Sequence, residues 1–122
     1  MSVSTYRDLL VWQKAMDVVV ESYRLAKLLP KSKAYGLASQ MQRAAVSIPA
    51  NIAEGQGRKH LGDYLYHLSV ANGSLTELET HMLLASRLSF LSGRTIEPLL
   101  ALTDEVGRML TGLRTSLKKT KT

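Results

Sequence analysis

The stretch AVSIPANIAEGQGRK, residues 45–59, concentrates the side chains that could carry chemistry. Asn51 and Glu54 lie about one helical turn apart and can share a helix face. Glu54 could then act as a general base. Catalysis needs more than a base, and neither a nucleophile nor a metal-ligand cluster accompanies it in the sequence. We therefore expect a non-enzymatic protein, with an enzyme that uses Glu54 as its base as a third-ranked hypothesis.

Residues 55–59, GQGRK, form a second candidate, because glycine amides and two cations could hold a phosphate. A P-loop would end in lysine and serine or threonine and would follow a strand. GQGRK instead follows a predicted helix, at the end where the helix dipole is negative. A nucleotide-binding loop is excluded, and contact of Arg58 and Lys59 with a phosphate backbone stays open.

Two His residues invite a test for a metal site. Asp63 with His67, and Glu77 with His81, lie one turn apart. Di-iron bundles instead carry a Glu-x-x-His pair on each of two helices, with further carboxylates. That pattern is absent, and the chain has no cysteine. We expect no metal and no other cofactor.

Four helical segments position these residues, at about 8–29, 35–54, 62–88 and 95–118. In each segment apolar residues recur every three or four positions. Short connections make consecutive helices antiparallel. The sequence predicts one all-α domain over 1–122, an up-down-up-down four-helix bundle. The core stripe predicted for the first helix is Leu9, Trp12, Met16, Val19, Tyr23 and Ala26.

The second segment contains a helix breaker. Pro49 lacks an N–H and clashes with the carbonyl of Ala45, which predicts a kink. Ser47 can satisfy the freed carbonyl. Gly55 is the predicted stop of this helix. The polar residues of the stretch are thus interpreted as ties at the end of a bent helix.

The run ANGSLTELE, residues 71–79, places polar residues on a long apolar helix. Gly73 costs up to about 1 kcal/mol relative to alanine in mid-helix, which close approach of another helix would justify. Ser74 and Glu77 are interpreted as a satisfied polar pair at a helix crossing. Tyr64, Tyr66 and further apolar residues off the main stripe favour a subunit interface.

The charge of +6 is unevenly distributed. Residues 1–60 carry nine cations and four anions, whereas residues 61–113 carry three cations and six anions. Residues 118–122 are predicted to form a basic tail. A basic excess favours a nucleic-acid partner. The candidate contacts are Arg43, Arg58, Lys59, Arg114, Lys118 and Lys119.

Composition limits the mode of binding and the compartment. Most of the seven aromatic residues fall on apolar stripes, which leaves little support for base stacking. No apolar run approaches the roughly 20 residues of a membrane span. The absence of cysteine fits a reducing cytoplasm, and we expect a cytoplasmic protein without a membrane partner.

Three runs together resemble the four-helix bundle protein family, also called the 23S rRNA intervening-sequence protein or S23 family. They are LLVWQKAMDV, GLASQMQRAAVSIPANIAEGQGR and ANGSLTELETHMLLASRL. The family hallmark SIPANIAEG is matched by Ser47, Pro49, Asn51, Glu54 and Gly55, among others. A second block is matched by Gly73, Ser74, Glu77 and Glu79.

The resemblance implies a bundle that assembles into a homo-pentameric ring. Some family members are encoded inside rRNA intervening sequences, and a distant relative is the accessory protein of diversity-generating retroelements. No catalytic activity is implied, so the motif residues are interpreted as architecture. The leading hypothesis is an oligomeric module that contacts RNA, DNA or a nucleoprotein. The alternative is a protein-interaction scaffold without a nucleic-acid role.

Overall fold

The computed structural model describes residues 5–119 and contains four α-helices. They are α1 (Leu10–Leu28), α2 (Lys31–Gln56), α3 (Leu61–Arg87) and α4 (Gly93–Lys119), preceded by a 3₁₀ turn at Tyr6–Asp8. No strand occurs in the described part of the chain. The predicted all-α architecture with four helices is confirmed.

Contacts between side chains show that neighbouring helices run antiparallel. Across α2 and α3, Ser47 contacts Ser74 and Asn51 contacts His67. Residue numbers thus rise along α2 as they fall along α3, which makes the two helices antiparallel. Thr103 of α4 likewise donates to the Glu79 carboxylate of α3 at 2.7 Å. Lys14 of α1 faces Glu105 of α4 at 3.8 Å and closes the bundle. One end of the bundle therefore carries the start of α1 and the ends of α2 and α4.

In α2, α3 and α4 the apolar residues that recur every three or four positions form the buried face, as predicted. Met41, Ile48 and Ile52 of α2 are fully buried, as are Leu68, Leu78 and Met82 of α3. In α4 the buried residues include Ile96, Leu99, Thr103, Val106 and Leu110. Three helices therefore show their buried face directly in their hydrophobic periodicity.

The predicted stripe of α1 is confirmed only in part: Ala26 is buried and Leu9, Trp12 and Val19 pack against the core, but the buried face is shifted by one residue. Its buried residues are Val11, Ala15, Val18, Ser22, Leu25 and Ala26, whereas Met16 and Tyr23 are exposed. Because α1 is apolar on two sides, the same spacing fits two stripes. The small residues Ala15 and Ser22 face inward, and the Ser22 hydroxyl donates to the Val18 carbonyl at 2.7 Å. The phenol of Tyr23 keeps its polar tip in water.

The start of α2 lies earlier than predicted, at Lys31. Pro30 precedes the first turn with φ −63°, a value compatible with helix entry. The dihedrals then leave the helical region at Ala34 (φ −129°, ψ 25°), and the regular helix continues from Tyr35. The break in α2 thus lies at Ala34. Pro49 is buried inside the helix, and the kink expected there stays a prediction.

Gly55 does not end α2. The helix continues to Gln56 and is capped by Gly57, whose N–H donates to the Ala53 carbonyl at 3.3 Å. Gly55 is buried inside the last turn. The prediction of a stop at Gly55 is therefore wrong, and a packing reason for this glycine follows from the neighbouring helix.

The remaining helix ends follow local hydrogen bonds. Thr5 and Asp8 form a reciprocal cap on the 3₁₀ turn before α1. The Ser92 hydroxyl accepts from the Thr95 N–H at 3.0 Å where α4 begins. Lys118 and Lys119 are the basic residues of the last turn of α4, so they are helical rather than part of a tail. Lys121 of the predicted tail lies outside the described residues.

No helix within residues 5–119 combines the length and apolarity that a membrane crossing requires.

Candidate nucleic-acid interface

The motif in α2 forms a polar network with α3. Asn51 Nδ2 donates to the Ser47 carbonyl at 2.9 Å and lies 3.0 Å from Ser47 Oγ. Ser74 Oγ donates to Ser47 Oγ at 2.8 Å. His67 Nδ1 lies 3.1 Å from Asn51 Oδ1. Half-buried polar groups are thereby satisfied across the helix pair, which we call the α2–α3 seam.

The seam assigns the tautomer of His67. Because Asn51 Nδ2 is committed to the Ser47 carbonyl, the amide oxygen faces His67. An amide oxygen only accepts, so Nδ1 of His67 must carry a proton. The histidine acts as a hydrogen-bond donor that holds α3 against α2.

Gly55 is the closest point of this seam. A Cβ at this position would lie 2.8 Å from His67 Cβ, 3.0 Å from Tyr64 Cδ1 and 3.2 Å from the Tyr64 carbonyl. Only glycine fits without a shift of α3. Burial against this end of the seam raises the pKa of the Tyr64 hydroxyl above its usual 10.0.

Glu54 lies outside the seam. Its Oε2 accepts from Arg58 Nη2 at 2.7 Å, and both side chains are exposed. No histidine or hydroxyl of residues 5–119 hydrogen-bonds to this carboxylate. The geometry therefore matches a surface ion pair, and Glu54 has none of the partners that a general base uses.

The second motif block divides between the seam and the surface. Ser74 joins the seam, as expected for a polar group at a helix crossing. Gly73 is exposed, and a Cβ there would meet nothing within 4 Å. Glu77 is exposed and lies 3.7 Å from His81 Nε2. The expected close helix approach at Gly73 does not occur within the protomer, nor do Ser74 and Glu77 form a pair with each other.

No group of three or more metal-ligating side chains occurs within residues 5–119.

Five of the six predicted nucleic-acid contacts share one end of the bundle, which we call the basic end. Arg58 and Lys59 follow the end of α2, and Arg114, Lys118 and Lys119 lie in the final turns of α4. Lys59, Lys118 and Lys119 are exposed. Arg114 is half-buried, and its Nε has no hydrogen-bond partner in the described part of the chain. Antiparallel packing places these residues at one end of the bundle, on helices that lie diagonally and do not contact each other.

Arg43 lies apart from the other candidates, on the outer face of α2. It lines a cavity of about 490 Å³ together with Tyr23 of α1 and Val46. A cavity of about 370 Å³ is lined by the same helix pair, and one of about 500 Å³ adjoins it on the outer face of α1. We call this surface the α1–α2 groove and define it by Tyr23, Arg24, Lys27, Lys31, Tyr35 and Arg43.

Apart from Arg43, the residues of the α1–α2 groove were missed by sequence reasoning. Tyr23 was assigned to the core, and it is 40% exposed. Tyr35 is 69% exposed, and Tyr66 of α3 is 64% exposed. The expectation that aromatic residues are mostly committed to apolar stripes is therefore wrong for these three. A usable signal existed in the nine cations of residues 1–60, which include Arg24, Lys27 and Lys31.

A family model matches residues 7–112, which covers most of the bundle and both motif blocks. It describes the 23S rRNA-intervening sequence protein. The chain belongs to this family. The resemblance seen in the sequence is thus confirmed, and the family description names no enzymatic activity. No curated protein matches the chain.

A solved structure has the same fold. It is a protein of unknown function from the S23 ribosomal protein family of Bacteroides thetaiotaomicron VPI-5482. The two chains share 22% sequence identity with a TM-score of 0.79, over 86% of this chain and 98% of the other. At this identity the likeness establishes the fold.

Proposed function

We propose that this protein is a non-enzymatic, oligomeric helical-bundle module that contacts nucleic acid through its basic end. The observation that carries the proposal is that Arg58 and Lys59, which follow α2, lie at the same end of the bundle as the final turns of α4, although α2 and α4 are diagonal to each other and make no contact. Lys118 and Lys119 add two exposed cations at the same end. Cations clustered on one surface neutralise several phosphates at once, which is the main source of affinity for a nucleic-acid backbone.

The contact is expected to be weakly selective for sequence. Lysine and arginine at helix ends bind phosphate oxygens, which carry no base information. Arg58 is partly engaged with Glu54, so the free lysines supply most of the charge. Affinity should therefore depend steeply on salt.

The experiment measures binding of nuclease-treated, repurified protein to duplex DNA and structured RNA over a salt series. The variant is Arg58→Glu/Lys59→Glu, and the matched control is Arg87→Glu/Arg94→Glu at the opposite end of the bundle. On a plot of log K against log salt concentration, the salt slope for duplex DNA should fall in magnitude by about 1.8 when two phosphate contacts are lost. The salt slope of the control should equal that of the wild type. Absence of binding at low salt would overturn the nucleic-acid function. A protein partner that survives nuclease treatment would then favour the scaffold alternative.

The oligomer of this proposal is a homo-pentameric ring, the assembly that the family resemblance implies. Two observations support a subunit interface on the outer face of α3. Tyr66, Leu83, Leu84 and Leu88 are exposed there. Gly73 has open space on the same helix, so no contact within the protomer requires a glycine. A neighbouring helix could approach closely at that point.

Native mass spectrometry tests the assembly directly. The expected particle has five times the protomer mass of 13.5 kDa. Gly73→Leu should lower that mass while helix content is retained, because a larger side chain meets nothing in the protomer. A monomeric wild-type protein at micromolar concentration would overturn the ring.

A further inference from the structure

We infer that the α1–α2 groove binds single-stranded nucleic acid, with bases stacked on Tyr23 and Tyr35 and phosphates held by Lys27, Lys31 and Arg43. The inference rests on the proposed function for the class of ligand. It uses no residue of the basic end, so the two surfaces can be tested separately.

The three cavities of the groove are adjacent, because they share lining residues. Lys27 lines the cavities of about 370 and 500 Å³. Tyr23 lines the latter and the cavity of about 490 Å³. Ser39 and Gln42 line that cavity and the first. An extended ligand that contacts one cavity therefore lies within reach of the other two.

The groove has a single sign of charge. Its lining residues within the described chain include Arg24, Lys27, Lys31 and Arg43 and no carboxylate. Arg24 lies 3.6 Å from Glu21, which stands outside the lining. The other three cations form no ion pair within residues 5–119. Unpaired cations along a surface fit a polyanion whose charges repeat along its length.

The two tyrosines specify the form of the polyanion. Each presents a ring to solvent in the same groove as the cations, and base–aromatic stacking tolerates any sequence because every base has a π-face. A duplex keeps its base faces covered, so a single strand is the form that can use both rings. From Tyr35 to Val46 the groove follows α2 for about 17 Å. A groove of this length can contact only a few nucleotides of a single strand.

The test uses the full-length assembled protein and a fluorescein-labelled oligouridylate of about ten nucleotides, longer than the groove. Fluorescence anisotropy gives Kd and its salt dependence. Tyr35→Ala should raise Kd at least about fivefold, whereas Tyr35→Phe should retain wild-type affinity because the ring remains. Tyr35→Leu is the control for apolar area, since leucine keeps a large apolar side chain without an aromatic ring, and it should lose affinity as Tyr35→Ala does.

A second set of variants, one in the groove and one control outside it, tests how much the groove cations contribute to binding. Lys27→Gln/Lys31→Gln should reduce the salt slope by about 1.4, the value for two phosphate contacts on a single strand. Arg87→Gln/Arg94→Gln removes the same charge from the same end of the bundle without altering a lining residue. An oligothymidylate of equal length tests whether a DNA strand binds as tightly as the RNA strand. Competition by polyaspartate measures how much of the bound oligouridylate a polyanion without bases displaces.

The outcomes separate the two hypotheses. Effects confined to the groove variants, with weak competition by polyaspartate, support the groove site. Oligouridylate binding that Arg58→Glu/Lys59→Glu abolishes and the groove variants leave intact overturns the groove site and keeps the basic end. Wild-type affinity in Tyr35→Leu also overturns it, because stacking on the ring would then contribute nothing. No binding of any nucleic acid at low salt overturns both hypotheses.

Discussion

The two sides of α2 differ in what surrounds them. Toward α3, Ser47, Asn51 and Gly55 are each in direct contact with a residue of the neighbouring helix. On its outer face toward α1, Arg43 and Tyr35 border open cavities. The conspicuous motif residues therefore hold two helices together. The side chains available for a ligand are ordinary cations and tyrosines that no motif marks.

The largest expected effect tests the close approach in the seam. Gly55→Ala should destabilise the protein by about 1–3 kcal/mol, because the new methyl group overlaps His67 and the Tyr64 backbone. Gly112→Ala in α4 is the control, since a Cβ there meets nothing within 4 Å and the change should stabilise the protein by up to about 1 kcal/mol. Urea unfolding at a fixed protomer concentration measures both. Equal effects of the two substitutions would contradict the packing role of Gly55.

Asn51→Ala tests the polar part of the seam. The variant loses the bonds to Ser47 and leaves the His67 Nδ1 proton without its acceptor, at a cost of about 1–2 kcal/mol. A double-mutant cycle with His67→Ala should give a coupling energy of at least about 0.5 kcal/mol. Additive single effects would show that the two side chains do not act together.

The pH dependence of stability tests burial at Tyr64. Its pKa in the folded protein is raised above 10.0, so the folded state retains the proton longer than the unfolded state. This contribution to stability is fully present below pH 10.0 and is lost as the pH rises through the folded pKa. Urea midpoints should fall more steeply above this pH in the wild type than in Tyr64→Phe. Identical profiles would mean that the hydroxyl is not desolvated.

The smallest expected effect concerns the surface ion pair. Arg58→Ala should change the free energy of unfolding by no more than about 0.5 kcal/mol, because both partners of the Glu54 pair are exposed. Arg43→Ala, which removes an unpaired cation, should be equally mild. A loss of more than about 1 kcal/mol in the free energy of unfolding of Arg58→Ala would show that Arg58 stabilises the fold, as Asn51 and Gly55 do.

Much of the fold was predictable from the chain. The periodicity of α3 and α4 identified their buried faces, and proline and glycine marked the breaks between helices to within a few residues. The candidate site was harder to predict from the sequence. Arg58 and Lys59 are far in sequence from Lys118 and Lys119, so their common end depends on the number and direction of the helices. Once an antiparallel bundle is assumed, that convergence follows.

By itself the sequence determined four amphipathic helices and the overall charge, because both follow from local spacing and composition, and its motif runs indicated the family by resemblance. The tertiary structure decided which of two apolar stripes of α1 faces inward, since small Ala15 and Ser22 permit a close helix pair. It also decided that Gly55 meets α3 while Gly73 meets nothing in the protomer. The same choice in α1 left Tyr23 beside Lys27 and Arg43, because a groove exists only where two helices are already packed.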